Sequence, residues 1–135
     1  MKVLVFGIFD GLHPGHTNFL RQAQKYGDFL VVAVGRASCS RQIKCKTPKL
    51  SLRQRLTALR GEPLVDKAVP GDITQGSYKV VLREKPDIIC LGYDQKALGA
   101  DIARALKAKE LKIGLKILKP YKPDKYHTRL MRASY

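Results

Sequence analysis

Acidic residues are scarce in this chain: 11 Asp and Glu stand against 26 Lys and Arg, a formal charge of +15. Such a balance points to an anionic partner, whether nucleotide, nucleic acid or anionic membrane. Cysteine is sparse too. Cys39, Cys45 and Cys90 form no C-x-x-C pair, and an odd number argues against a disulfide framework. No apolar run reaches the length of a membrane span, so no membrane partner is expected. The first apolar run reads as a strand and not as a signal peptide, so the cytoplasm is the expected compartment. Internal repeats, low-complexity tracts and linkers are absent, and residues 1–135 are expected to form a single domain around one core. Aromatics interleaved with the basic residues are missing, so nucleic acid is open as a partner but not favoured.

What is present alternates in a regular way. Val3-Leu4-Val5-Phe6 reads as a buried parallel strand, and Phe19, Leu20 and Ala23 recur at helical spacing within Thr17 to Tyr26. Phe29 to Gly35 is a second buried strand, which completes a βαβ unit. Ala37 to Lys49 is basic and aperiodic, and is expected to be a mobile loop that an anionic ligand orders. Ser51 caps a helix to about Arg60, with Leu52, Leu56 and Leu59 inward. Further strands are expected over Leu64 to Val69, Ile88 to Leu91 and Leu115 to Leu118, with Cys90 in the core. Helices are expected over Ser77 to Glu84, over Leu98 to Glu110, and from His127 onward after a loop at Tyr121 to Tyr126. This order predicts an α/β fold: a Rossmann-like, doubly wound sheet of about five parallel strands. In such sheets ligands bind beyond the carboxyl ends of the strands, where Gly7 to Asp10, Arg36 onward and Gly92 to Gln95 all fall.

Gly7-Ile8-Phe9-Asp10-Gly11-Leu12-His13-Pro14-Gly15-His16 is the centre of this arrangement. It lies between the first strand and the first helix. Asp10-Gly11 supplies turn chemistry, Pro14 suits the first helical position, and His13 falls at the cap. Free N–H groups and the positive end of the helix dipole make the first turn a phosphate site, which Gly15 lets a ligand approach closely. His13 and His16 can donate hydrogen bonds to phosphoryl oxygens as charge develops on them.

The decamer resembles the G-T-F-D-x-L-H-x-G-H signature of the cytidylyltransferase-like nucleotidyltransferases, with both histidines present and Ile8 where Thr is usual. The resemblance implies transfer of a nucleotidyl group from a nucleoside triphosphate to a phosphorylated acceptor, with His13 and His16 on the phosphates. Leu91-Gly92-Tyr93-Asp94-Gln95 resembles the small FAD synthetase version of the turn after the fourth strand. Glycerol-3-phosphate cytidylyltransferases carry Gly-Asp-Asp-Trp there. Lys44, Lys46 and Arg55 resemble the family's lysine loop and following arginine. Thr128 and Arg129 loosely match its terminal phosphate motif.

The resemblance therefore implies catalytic roles for His13, His16, Lys44 and Arg129. Nucleotide contacts are implied at Gly7, Ile8, Phe9, Asp10, Pro14, Gly15, Lys46, Arg55, Gly92, Asp94, Tyr121 and Thr128. Arg55 is expected at a polar edge of its helix, gripping phosphate, and Asp10 beside a histidine or a metal-bound water. Mg²⁺ is expected to ride on the nucleotide phosphates, so no residue is assigned to it. ATP with FMN is the favoured substrate pair, and CTP with a phospho-alcohol such as glycerol 3-phosphate is the alternative. A basic nucleotide- or RNA-binding module without turnover is the second alternative. A homodimer is left open.

Overall fold

The computed structural model describes residues 1–35, 49–72, 77–93 and 95–119. Its sheet is built from β1 (Lys2–Gly7), β2 (Phe29–Val34), β3 (Lys67–Pro70), β4 (Ile88–Leu91) and β5 (Gly114–Ile117). The strands lie in the order β3-β2-β1-β4-β5, and every pairing is parallel. Four helices connect them: α1 (Pro14–Gln24), α2 (Leu52–Arg60), α3 (Lys79–Glu84) and α4 (Lys96–Ala108). Among the described residues no helix is long and apolar enough to cross a membrane.

The strands read as continuous apolar runs because both faces of the sheet are covered. Val3, Val5, Val32, Val34 and Cys90 meet α1 and α2 through Phe19, Leu20, Ala23, Leu56 and Leu59. Leu4, Val31, Ala33, Ile89 and Leu91 meet α3 and α4 through Val80, Val81, Ile102 and Leu106. Burial pushes the Cys90 thiol up to about 11, so it stays protonated in the core as expected. A capping box starts α2: Ser51 Oγ accepts from Gln54 N, and Gln54 Oε1 accepts from Ser51 N.

One difference from the sequence reading has a local cause. The third strand starts at Lys67 rather than Leu64, because Val65 N turns back to Glu62 O and the Asp66 carboxylate takes Leu30 N. The first helix begins at Pro14 with His13 as its cap, as the turn chemistry implied. The expected loops and terminal helix at 37–48 and 121–135 lie outside the described residues.

The sheet has two unlike edges. At its carboxyl edge β1 passes to β2 on one side while β4 and β5 lie on the other, and this reversal between β1 and β4 is the switch point. The amino edge carries ion pairs. The Met1 ammonium lies 2.7 Å from Asp28 Oδ1, and Lys67 and Arg83 reach the buried Glu84 carboxylate at 3.0 and 3.4 Å.

Candidate functional site

The turn leaving β1 is built on an aromatic stack. Phe9 has φ 52°, a left-handed conformation unusual for a bulky residue. That backbone folds its ring under Gly7, where a Cβ would meet Phe9 Cε2 at 2.4 Å. Only glycine fits there. The Phe9 ring is 1% exposed and lies 5.2 Å from the His16 ring and 6.4 Å from that of Phe19. His16 is completely buried, and the His13 ring stacks on it at 3.8 Å with 21° between planes. Phe9, His16 and His13 thus form one column from the core to the crevice.

His13 is the N-cap of α1, as the sequence implied. Its Nδ1 accepts from Gly15 N at 3.0 Å and His16 N at 3.3 Å. Burial lowers the His13 pKa and favours the neutral ring. A neutral imidazole that accepts at Nδ1 carries its proton on Nε2. That Nε2 is buried and has no hydrogen-bond partner among the described residues. A phosphoryl oxygen would complete it. The same geometry corrects an expectation: the N–H groups of Gly15 and His16 are not open to a ligand, because the His13 side chain already takes them. The donor at the head of α1 is an imidazole, with Pro14 exposed beside it. An open depression of about 410 Å³ adjoins it, lined among the described residues by Leu12, His13, Pro14, Thr17 and Arg21.

Asp10 does not face a histidine. Its two carboxylate oxygens accept from Lys49 N and Leu50 N, each at 2.8 Å, and these bonds hold its pKa below the usual carboxylate value. It fastens the turn to the head of α2. Arg55 is likewise not at a polar edge of its helix but fully buried. Its Nη1 donates to Ile8 O at 2.9 Å and Gly35 O at 2.6 Å, and its Nε to Leu50 O at 3.2 Å. Only Nη2 has no partner among the described residues. A guanidinium spent on three carbonyls has no bidentate fork left for phosphate. Burial lowers its pKa, and the nearby Asp10 charge opposes that.

The structure therefore brings Gly7, Ile8, Phe9, Asp10, His13, Pro14, Gly15, His16, Arg55 and Gly92 to the carboxyl edge of β1, β2 and β4. Lys44, Lys46, Asp94, Tyr121, Thr128 and Arg129 lie outside the described residues. One residue escaped the sequence reading as a structural element of this edge: Gln95. Its Oε1 accepts from Gly92 N at 2.7 Å, and its Nε2 donates to Phe6 O at 3.1 Å. The signal was a side chain with both donor and acceptor at the end of the Gly92-Tyr93-Asp94 turn.

The chain is similar to known proteins in sequence and in fold. Residues 4–133 match the cytidylyltransferase-like family. The FAD synthase of Aciduliprofundum boonei is 40% identical over 121 residues, 90% of this chain and 80% of that protein. The FAD synthase of Thermoplasma volcanium is 39% identical over 125 residues, 92% of this chain and 84% of that protein. The crystal structure of a Thermoplasma volcanium protein described as a lipopolysaccharide core biosynthesis protein superposes with a TM-score of 0.82 at 34% identity, covering 90% of this chain and 98% of that one. A pantoate-beta-alanine ligase from Francisella tularensis, with a TM-score of 0.62 at 14% identity, covers 90% of this chain and 59% of that one and shares the fold. With its histidine turn at the switch point of a five-stranded parallel sheet, the chain belongs to the cytidylyltransferase-like family of nucleotidyltransferases.

Proposed function

We propose that this enzyme transfers an adenylyl group from ATP to FMN, forming FAD and pyrophosphate. A phosphate oxygen of FMN attacks the α-phosphorus of ATP, the bond from that phosphorus to the β-phosphate bridging oxygen breaks, and pyrophosphate leaves. No covalent enzyme intermediate is needed, so the protein contributes alignment and stabilisation of developing charge. The observation that carries this reading is the buried Nε2 of His13 at the head of α1, which has no partner among the described residues. It is a neutral donor held ready for oxygens whose charge grows in the transition state. His16 backs it from below in the stack.

The FAD synthase relatives support ATP and a flavin as the substrate pair, as does the Gly92-Tyr93-Asp94-Gln95 turn. By family resemblance Lys44 and Arg129 steady the leaving pyrophosphate, Lys46, Tyr121 and Thr128 contact the nucleotide, and Asp94 reads the nucleoside. The described residues around the turn suit a magnesium ion carried by the nucleotide, because both oxygens of Asp10 are already hydrogen-bonded. When bound there, Mg²⁺ neutralises phosphate charge.

Pyrophosphate release, measured with ATP or CTP against a panel of phosphorylated acceptors that includes FMN and glycerol 3-phosphate, tests the proposal. Release is expected with ATP and FMN. Turnover confined to CTP with a phospho-alcohol would overturn it in favour of cytidylyl transfer.

A further inference from the structure

The ladder between β1 and β4 runs in register as far as Val5 opposite Cys90. Beyond that pair the two strands part, at the switch point where a ligand enters. Gln95 bridges the opening with one planar amide, accepting from Gly92 N on the β4 side and donating to Phe6 O on the β1 side. Gln95 N also closes the turn by donating to Gly92 O at 3.0 Å. Capping does not explain the side chain, which makes no cap hydrogen bond to α4.

The neighbouring carbonyls are held from the other flank. Gly7 O accepts from Gly35 N at 2.8 Å, and Ile8 O accepts from the buried Arg55. Three successive carbonyls at the exit of β1 are therefore gripped by groups beyond β4, beyond β2 and on α2. Immediately after them come Phe9, whose ring underlies Gly7, and the column that ends at His13.

From this we infer that Gln95 is a positioning residue for nucleotidyl transfer: it couples the turn after β4 to the strand end that carries the histidine column. The inference rests on the nucleotidyltransferase reading above. Gln95 would fix Gly92, at the end of β4, relative to the strand end that leads to the donor meeting the phosphates, without touching the reacting atoms. Glutamine suits the task because it offers a donor and an acceptor on one rigid group. Glutamate keeps the acceptor for Gly92 N but, when ionised, cannot donate to Phe6 O. Leucine keeps neither.

The test uses Gln95→Leu and Gln95→Glu in the full chain. Amide resonances of Gly7, Ile8 and Phe9 in the ligand-free protein read the coupling without any reaction, and they are expected to shift in both variants. Unchanged resonances would overturn the coupling. Calorimetry with ATP and Mg²⁺, at a temperature where melting shows every variant folded, is expected to give about tenfold weaker binding for Gln95→Leu. KM for ATP should rise by a similar factor while kcat changes less. Gln95→Glu should recover affinity as pH falls, because protonation restores the donor to Phe6 O. A lowered melting temperature with unaltered affinity and no acid recovery would reduce Gln95 to scaffold and sink the inference. A wild-type protein that neither binds nor turns over ATP or CTP would instead sink the nucleotidyltransferase reading, and the two failures are told apart by the wild-type control.

Discussion

His13 holds two roles in one ring, and a single substitution can separate them. Its Nδ1 caps α1 through Gly15 N and His16 N, while its Nε2 is the donor with no described partner. Asparagine ranks among the best N-caps and places an acceptor oxygen where Nδ1 lies, but has nothing at the Nε2 position. His13→Asn should therefore keep the helix and lose the chemistry. His13→Ala should lose both: a missing cap costs about 1 kcal/mol, or about 4 °C in melting temperature for a chain of this size. Loss of a transition-state donor costs about 10²–10³ in turnover, equivalent to roughly 3–4 kcal/mol. The assay is FAD formation at saturating ATP and FMN, run beside thermal melts. The expected pattern is a near-native melt with turnover down about a hundredfold or more for His13→Asn, and both quantities down for His13→Ala. Native turnover in His13→Asn would show that the ring only caps, and the catalytic assignment would be wrong. The pH dependence carries a sign as well. Burial holds the folded pKa of His13 below its ordinary 6.5, so the neutral ring favours the folded state above that pH. Wild-type stability relative to His13→Asn should decline as pH falls below about 6.5.

His16→Ala should cut turnover by about 10²–10³ with a much smaller change in nucleotide affinity, read from single-turnover rates and calorimetry. Gly7→Ala places a methyl against three carbons of a ring that cannot retreat, and urea unfolding should show a loss of about 1–3 kcal/mol, relieved when Phe9→Leu is added; an additive double mutant would contradict the contact. Arg55→Lys cannot span three carbonyls and should lower stability by about 1–3 kcal/mol in the same assay. A native melt with a raised KM would restore the phosphate-gripping role instead. Asp10→Asn should be less stable than wild type near neutrality. The gap should close as pH falls below 3.8 and through the lowered folded pKa of Asp10, because the protonated wild-type carboxyl loses its charge-assisted bonds from Lys49 and Leu50.

The sheet and its helices were legible because their signals are local. Val31 to Val34 is apolar at every position since both faces are covered, and Leu52, Leu56 and Leu59 repeat at the helical period. The histidine turn was legible for the same reason, since Gly7, Asp10, His13, Pro14 and His16 are near neighbours. The supports of that turn were not. Arg55 meets a carbonyl 47 residues away and Gln95 one 89 residues away, and neither bond has a sequence period. Arg55 reads as a surface charge on a basic helix until the fold buries it. Asp10-Gly11 was legible as the turn, and Gly11 carries φ 93°, but nothing local marked Phe9, whose ring lies beneath Gly7, as left-handed too. Asp10 looked chemical because it sits in the histidine turn, yet its oxygens are taken by the backbone of Lys49 and Leu50, just ahead of α2.

The division between the two edges of the sheet has a practical side. Met1 and its ion pair with Asp28 lie at the amino edge. β1 runs six residues and ends at Gly7. At about 3.3 Å per residue, that separates the chain's amino end from the histidine column by about 20 Å of buried strand. A bead, sensor chip or fluorescent carrier attached through Met1 would replace one exposed ion pair and leave the crevice facing the solution. Immobilised in this orientation, the enzyme presents its mouth to substrate on every molecule, which random coupling through its many lysines would not achieve.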